Sequence, residues 1–204
     1  MNPRSAFFDA IADKWDSWED LNRLQRRMAT GLARMRLHPD ETVLDVGCGT
    51  GNLTLALLSA LGPLGRVFAV DIAPRMIDVA RGKVQDPRVT WHVGSAEALP
   101  FPAASIDRIL CFSVWPHFHE KRTVLGELAR LLRPSGYLHI WHLSPRDNIN
   151  EIHAAAGDPV SGDLLPPASE TAAQLTAAGY DVSETIDDAE QYLVTARTKG
   201  TETG

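Results

Sequence analysis

Cysteine is nearly missing from this chain: 204 residues hold two, Cys48 and Cys111. Two thiols cannot build the bridge framework of small secreted domains, so a reducing compartment fits. Long apolar runs are missing too. No stretch approaches the roughly 18 residues that cross a bilayer, and no secretory leader is recognised. The expectation is a soluble, cytoplasmic protein with no membrane partner. An excess of positive charge is also lacking. Lys and Arg number 20 against 26 Asp and Glu, a formal net charge of −6, which opposes wrapping a polyanion. The clustered Arg23, Arg26, Arg27, Arg34 and Arg36 follow acidic residues and read as a solvated helix face. No nucleic-acid partner is expected, and no internal repeat is visible.

What the chain does have is a change of period. Phe7, Phe8, Ile11, Ala12, Trp15 and Trp18 recur at three and four residues, the mark of a helix with one apolar stripe. A second helix, about 21–36, aligns Leu24, Met28, Leu32 and Met35 and stops before His38-Pro39. From residue 41 strands and helices alternate: strand 42–46, helix 52–61, strand 66–70, a helix begun by Pro74, strands 89–93 and 106–112, helix 121–132, then strand 137–143. A helix over 144–156 with Ser144 as its N-cap, a loop over 157–167 and a helix over 168–178 follow. Strands 182–186 and 191–198 make a final antiparallel hairpin, and 201–204 are expected to fray. Helices of this length joining strands imply a parallel sheet covered on both faces, with ligands beyond the carboxyl ends of its strands.

The first strand runs into Asp45-Val46-Gly47-Cys48-Gly49-Thr50-Gly51, three glycines spaced by single residues. Such a turn lets a ligand lie against the backbone, where a Cβ would collide or forbid the dihedrals. A dinucleotide fingerprint reads G-x-G-x-x-G, but here the third glycine arrives one residue early and Asn52 takes its place. The D-x-G-x-G-x-G pattern resembles motif I of the class I S-adenosylmethionine-dependent methyltransferases. Three further segments resemble that family in the same order: 71–76 at the end of the second strand, 94–101, and 111–118 after the fourth strand. The segment 128–137, a helix leading into the fifth strand, resembles it as well. The nearest likeness is to the small-molecule branch of ubiquinone and menaquinone biosynthesis.

The resemblance implies a Rossmann-like, doubly wound α/β fold: a mostly parallel seven-stranded sheet with an antiparallel last strand and an N-terminal helical lid. It implies one methyltransferase domain over 1–204, divided into a lid (1–38), a cofactor-binding core (39–143) and an acceptor-side helix, loop and hairpin (144–204). S-adenosyl-L-methionine would be held by Asp45, Gly47, Gly49, Gly51, Asp71, Ile72, Met76, Ser95, Ala96, Glu97 and Phe112. Asp71 would meet the ribose diol, and Ile72 or Met76 the adenine face. Ser95 stands where many members carry Asp, so its bond to the adenine amine lacks charge assistance.

An acceptor that acidifies as it is methylated needs a base, and histidine suits neutral pH. His139 and His142 lie three apart in an extended strand and so face opposite sides. His142 is nearer the carboxyl end, where ligands bind, and His117 lies just past the fourth strand. Arg146, Asn150 and His153 fall on one face of the next helix. The candidate catalytic groups are therefore His117, His142, His153 and Arg146, with Arg146 facing an anionic part of a small-molecule substrate. No local spacing marks a metal site, and none is assigned. The alternatives are a sensor or accessory subunit that binds the cofactor without transfer, a metal-assisted transferase using His117, His142 and His153 with a carboxylate such as Asp163 or Asp187, and a nicotinamide oxidoreductase, which the glycine spacing opposes.

Overall fold

In the computed structural model, which describes residues 2–198, the fold divides after Ala96 into two compact units. The seven strands form a mostly parallel sheet in the order β3-β2-β1-β4-β5-β7-β6, with β1 to β3 in the first unit and β4 to β7 in the second.

The first unit opens with α1 (Pro3–Trp15), where Asn2 caps the amide of Arg4 at 2.9 Å and proline fills the first turn. A 3-10 turn at Asp16–Trp18 breaks the helical run, and α2 (Leu21–Met35) restarts on the Asp20 cap. Then come β1 (Thr42–Val46), α3 (Asn52–Ala60), β2 (Arg66–Asp71), α4 (Pro74–Lys83) and β3 (Val89–Val93). All three strands are parallel, with Asp45 opposite Ala69 and Asp71 opposite Val93. Every β1 residue after Thr42 is buried, as a strand covered on both faces should be. The apolar stripe of α1 packs Ala12 against Ala73 and Met76 of the turn into α4, with Phe8, Ile11 and Trp15 around them.

The second unit holds β4 (Ile106–Phe112), α5 (Lys121–Leu131), β5 (Leu132–His142), α6 (Arg146–Ala156), α7 (Ala168–Ala177), β6 (Tyr180–Asp187) and β7 (Tyr192–Thr198). Strand β7 inserts antiparallel between β5 and β6, so the last hairpin forms the sheet edge with its later strand inside. Two local expectations fail. The gap expected between helix 121–132 and strand 137–143, Arg133-Pro134-Ser135-Gly136, is not a turn outside the sheet, because β5 already begins at Leu132. That residue pairs with Ile106, and the register resumes only at Arg108 and Tyr137. The intervening residues bulge, with Ser135 at φ 64°. Ser144 does not cap α6 either: Pro145 occupies the N-cap position, and no side chain bonds the first amides.

Among the described residues no helix is long and apolar enough to cross a membrane. The expected fraying of 201–204 lies outside the described residues.

Candidate active site

At the carboxyl end of β1 the chain turns through Gly47, Gly49 and Gly51, all left-handed at φ 69°, 53° and 81°. The amides of Gly47 and Cys48 both donate to the Val70 carbonyl, at 2.8 and 2.9 Å, which ties the turn to β2. Asp71 closes it from the other side. Its Oδ2 accepts from the Gly49 amide at 2.8 Å and its Oδ1 from the Ala73 amide at 2.9 Å. The last two glycines do different work. A Cβ on Gly51 would meet Ala80 and Trp91 at 3.2 Å, whereas one on Gly49 meets nothing within 4 Å. Gly51 keeps the turn tight against α4 and β3, and Gly49 keeps a space open.

Asp45 is fully buried, and its Oδ2 accepts from the Thr54 hydroxyl at 2.7 Å. Its Oδ1 is buried with no hydrogen-bond partner among the described residues. Burial first, and the Asp71 charge second, push the Asp45 carboxyl up to about 7. Burial likewise raises Asp71, against the amide bonds it accepts. Two buried carboxyls, one with an unmet acceptor, are stabilised by a cationic ligand. A sulfonium cofactor with an ammonium group is such a ligand, and Gly49 leaves the backbone beside Asp71 uncovered, so the residues present fit S-adenosylmethionine.

The other expected cofactor residues have varied surroundings. Ile72 is half-buried, and its carbonyl accepts from the Ser5 hydroxyl at 3.0 Å. Met76 turns into the cluster with Ala12 and Ala73, because α1 covers that face of α4, so its side chain packs on protein. Ser95 is half-buried, Ala96 buried and Glu97 exposed. Phe112, in the second unit, packs edge-on against Trp141 with ring centroids 5.0 Å apart.

The second unit brings the acceptor-side histidines together. His117 ends a 3-10 turn just past β4, and its Nδ1 lies 2.8 Å from Oδ2 of Asp163, which is 4% exposed. The carbonyl of the same Asp163 accepts from Nδ1 of His153 at 2.5 Å. An ionised carboxylate and a carbonyl only accept, so these partners assign the proton to Nδ1 of both rings and leave Nε2 as the basic nitrogen. The two rings are 4.7 Å apart. His142 packs edge-on against Tyr192 at 5.6 Å, and its Nε2 is buried without a hydrogen-bond partner among the described residues. Burial, then the His117 and His153 charges, hold its pKa down to about 3, so it is neutral.

The rest of the α6 face serves the framework. Asn150 bonds the Leu165 backbone twice, donating to its carbonyl at 3.1 Å and accepting from its amide at 2.7 Å. Arg146 pairs with Asp147 at 2.9 Å and reaches Asp187 at 3.6 Å, so its charge already meets two carboxylates. His139, on the opposite side of β5, accepts from Arg108 at 2.7 Å and donates to Thr195 at 3.0 Å. Sequence reasoning gave Asp163 only a metal-ligand role. The signal was the loop over 157–167, since connections of that length inside a compact unit are usually functional. No group of three or more metal-ligating side chains among the described residues is arranged to hold an ion.

A doubly wound sheet, a glycine turn at the first strand and an acidic residue ending the second define a Rossmann-like protein that binds an adenosyl cofactor. A methyltransferase-domain family model matches residues 43–136. The ubiquinone/menaquinone biosynthesis C-methyltransferase UbiE of Hahella chejuensis is 30% identical over 178 residues, 80% of this chain and 71% of that one. The enzyme of the same name from Bordetella parapertussis is 32% identical over 187 residues, covering 88% and 70%. The fold matches a crystal structure of a SAM-dependent methyltransferase from Aquifex aeolicus at a TM-score of 0.75, with 24% identity over 91% of this chain and 97% of that one. The chain belongs to the class I S-adenosylmethionine-dependent methyltransferases, in their UbiE-like branch. It is an enzyme, and S-adenosylmethionine is its cofactor.

Proposed function

We propose that the protein methylates a small-molecule acceptor carrying a removable proton, held at the His117, His142 and His153 cluster. The observation that carries this reading is Asp163, which fixes the Nδ1 protons of His117 and His153 and leaves a basic nitrogen on each. S-adenosylmethionine supplies the activated methyl group. The chain's part is to place the acceptor and to take its proton, for which the His117–Asp163 pair is suited. Ile152 and Leu164, adjacent in sequence to His153 and Asp163, are 58% and 59% exposed. Apolar side chains at such exposure suit an acceptor with an apolar part. The relatives named for ubiquinone and menaquinone biosynthesis support small-molecule chemistry, and the negative net charge opposes a nucleic-acid acceptor. The domain reading stays as one methyltransferase domain working in the cytoplasm, with Arg146 bracing α6 beside the acceptor.

The test supplies S-adenosylmethionine with a deuterated methyl group to the protein and a fractionated cell extract. Mass spectrometry then locates the label. A labelled small molecule, lost in the Asp163→Asn variant, is the expected result. Label found only in protein or RNA overturns the reading, and cofactor binding without any transfer favours a sensor.

A further inference from the structure

Asp16 lies in the 3-10 turn between the two N-terminal helices, and its carboxylate gathers a polar cluster on the glycine turn. Oδ1 accepts from the Thr50 hydroxyl at 2.6 Å and from the Asn52 amide group at 2.9 Å. Oδ2 accepts from Lys83 at 2.6 Å. Lys83, at the end of α4, also donates to Asn52 Oδ1 at 2.8 Å and to Thr50 Oγ1 at 3.2 Å. Gln25 of α2 donates to the Asn52 carbonyl at 2.8 Å. Thr50 and Asn52 flank Gly51, the last left-handed residue of the turn. One carboxylate thus joins the α1–α2 corner, the glycine turn, the start of α3 and the end of α4.

A turn with three glycines has unusual backbone freedom, so its shape must be imposed by neighbours. Two carboxylates impose it here. Asp71 does so through the Gly49 amide, and Asp16 through the side chains on either side of Gly51. The N-terminal helices are pinned to the second cofactor loop as well. Ser5 donates to the Ile72 carbonyl at 3.0 Å, and Asp9 accepts from the Arg75 amide at 2.7 Å. These bonds tie the N-terminal segment to the second cofactor loop.

We infer that Asp16 is a positioning residue for the methyl donor: by holding Thr50 and Asn52 it keeps the glycine turn in the shape that receives S-adenosylmethionine. Burial works against the Asp16 charge, but the bonds from Lys83, Thr50 and Asn52 outweigh it and hold the carboxyl below its ordinary range. The brace is therefore in place at neutral pH. The inference rests on the family's cofactor and is independent of the acceptor.

Calorimetric titration of the whole chain with S-adenosylmethionine tests it, together with hydrogen exchange of the cofactor-free protein. Asp16→Ala is expected to weaken binding about tenfold and to speed exchange at the Gly49 and Gly51 amides. Asp13→Ala, which breaks the exposed pair between the end of α1 and Arg75 of α4, is the control and should bind within about twofold of wild type. Combining Asp16→Ala with Thr50→Val should cost less than the sum of the two, because they act on one network. If Asp16→Ala does not fold, Asp16→Asn, which keeps the shape and loses the charge, decides with a loss of about threefold. Wild-type affinity in the deciding variant, or an equal loss in Asp13→Ala, overturns the inference.

Discussion

Asp163 holds His117 through its carboxylate, Oδ2 to Nδ1 at 2.8 Å, across 46 positions of sequence. The carboxylate is 4% exposed and the imidazole 12%, so the pair is shielded from bulk water. A shielded carboxylate fixes the tautomer of its imidazole and favours the protonated ring once a proton arrives. Asp163→Asn should keep the fold and the Nδ1 contact but lose that electrostatic support. We expect methyl transfer to fall about 10²-fold, the low end for a general base, with the S-adenosylmethionine dissociation constant within about twofold of wild type. Rate and affinity measured on the same preparation check this. A fall in affinity that matches the fall in rate would remove the pair from proton transfer.

Gly49 and Gly51 should respond differently to one added methyl group. Gly51→Ala forces a Cβ to 3.2 Å from both Ala80 and Trp91, so about 2 kcal/mol of overpacking adds to a left-handed backbone penalty of about 1–2 kcal/mol in the first unit. Gly49→Ala meets no protein atom within 4 Å, so it should cost only the left-handed backbone penalty of about 1–2 kcal/mol. Its Cβ instead enters the space kept for the ligand, and cofactor binding should be lost. Urea unfolding and calorimetry separate the two outcomes, and cofactor affinity retained in a folded Gly49→Ala protein would show that this space is not the cofactor's.

Asp45 gives the donor site a pH dependence whose sign can be worked out. Its folded pKa, about 7, lies above the ordinary 3.8, chiefly through burial. Its share of the cofactor-free stability is therefore present below pH 3.8 and is lost as the pH rises through 7. A cationic ligand favours the ionised carboxylate, so binding below pH 7 expels a proton. Affinity should rise by up to about tenfold per pH unit on approaching 7 and then level off. Calorimetry in buffers of different ionisation enthalpy counts the proton directly. Affinity that is flat from pH 5.5 to 8 would contradict the assignment.

The glycine spacing and Asp71 make the cofactor legible, because a ligand that lies on backbone leaves its mark in residues that are close in sequence. The parallel core was legible for the same reason: the strand and helix periods follow from local composition. Other features were set by distant partners. Leu132 joins β5 early because Ile106 offers it a pairing, and Met76 turns inward because α1 covers it. Asp16 reads as an ordinary surface acid until Thr50, Asn52 and Lys83 surround it, 34 to 67 positions away. The spacing of Asn150 and His153 puts them on one face, but what that face meets is the loop carrying Asp163 and Leu165.

His142 poses the sharpest test of whether a buried histidine serves the fold or the reaction. Its Nε2 has no hydrogen-bond partner among the described residues, and burial leaves the ring neutral with a pKa of about 3. The folded value lies below the ordinary 6.5, so unfolding takes up a proton as the pH falls below 6.5. The group costs stability there, by about 1.4 kcal/mol per pH unit, until the folded ring titrates. His142→Phe keeps an aromatic edge for Tyr192, removes the unmet nitrogen and removes this acid-sensitive term. The variant should be at least as stable as wild type at pH 7, within about 1 kcal/mol, and gain relative to it at pH 5. A stabilised variant that also loses methyl transfer would show that the unmet nitrogen is kept for the acceptor. Full transfer in a stabilised variant would leave His142 with no part in the reaction and return the proton chemistry to His117 and Asp163 alone.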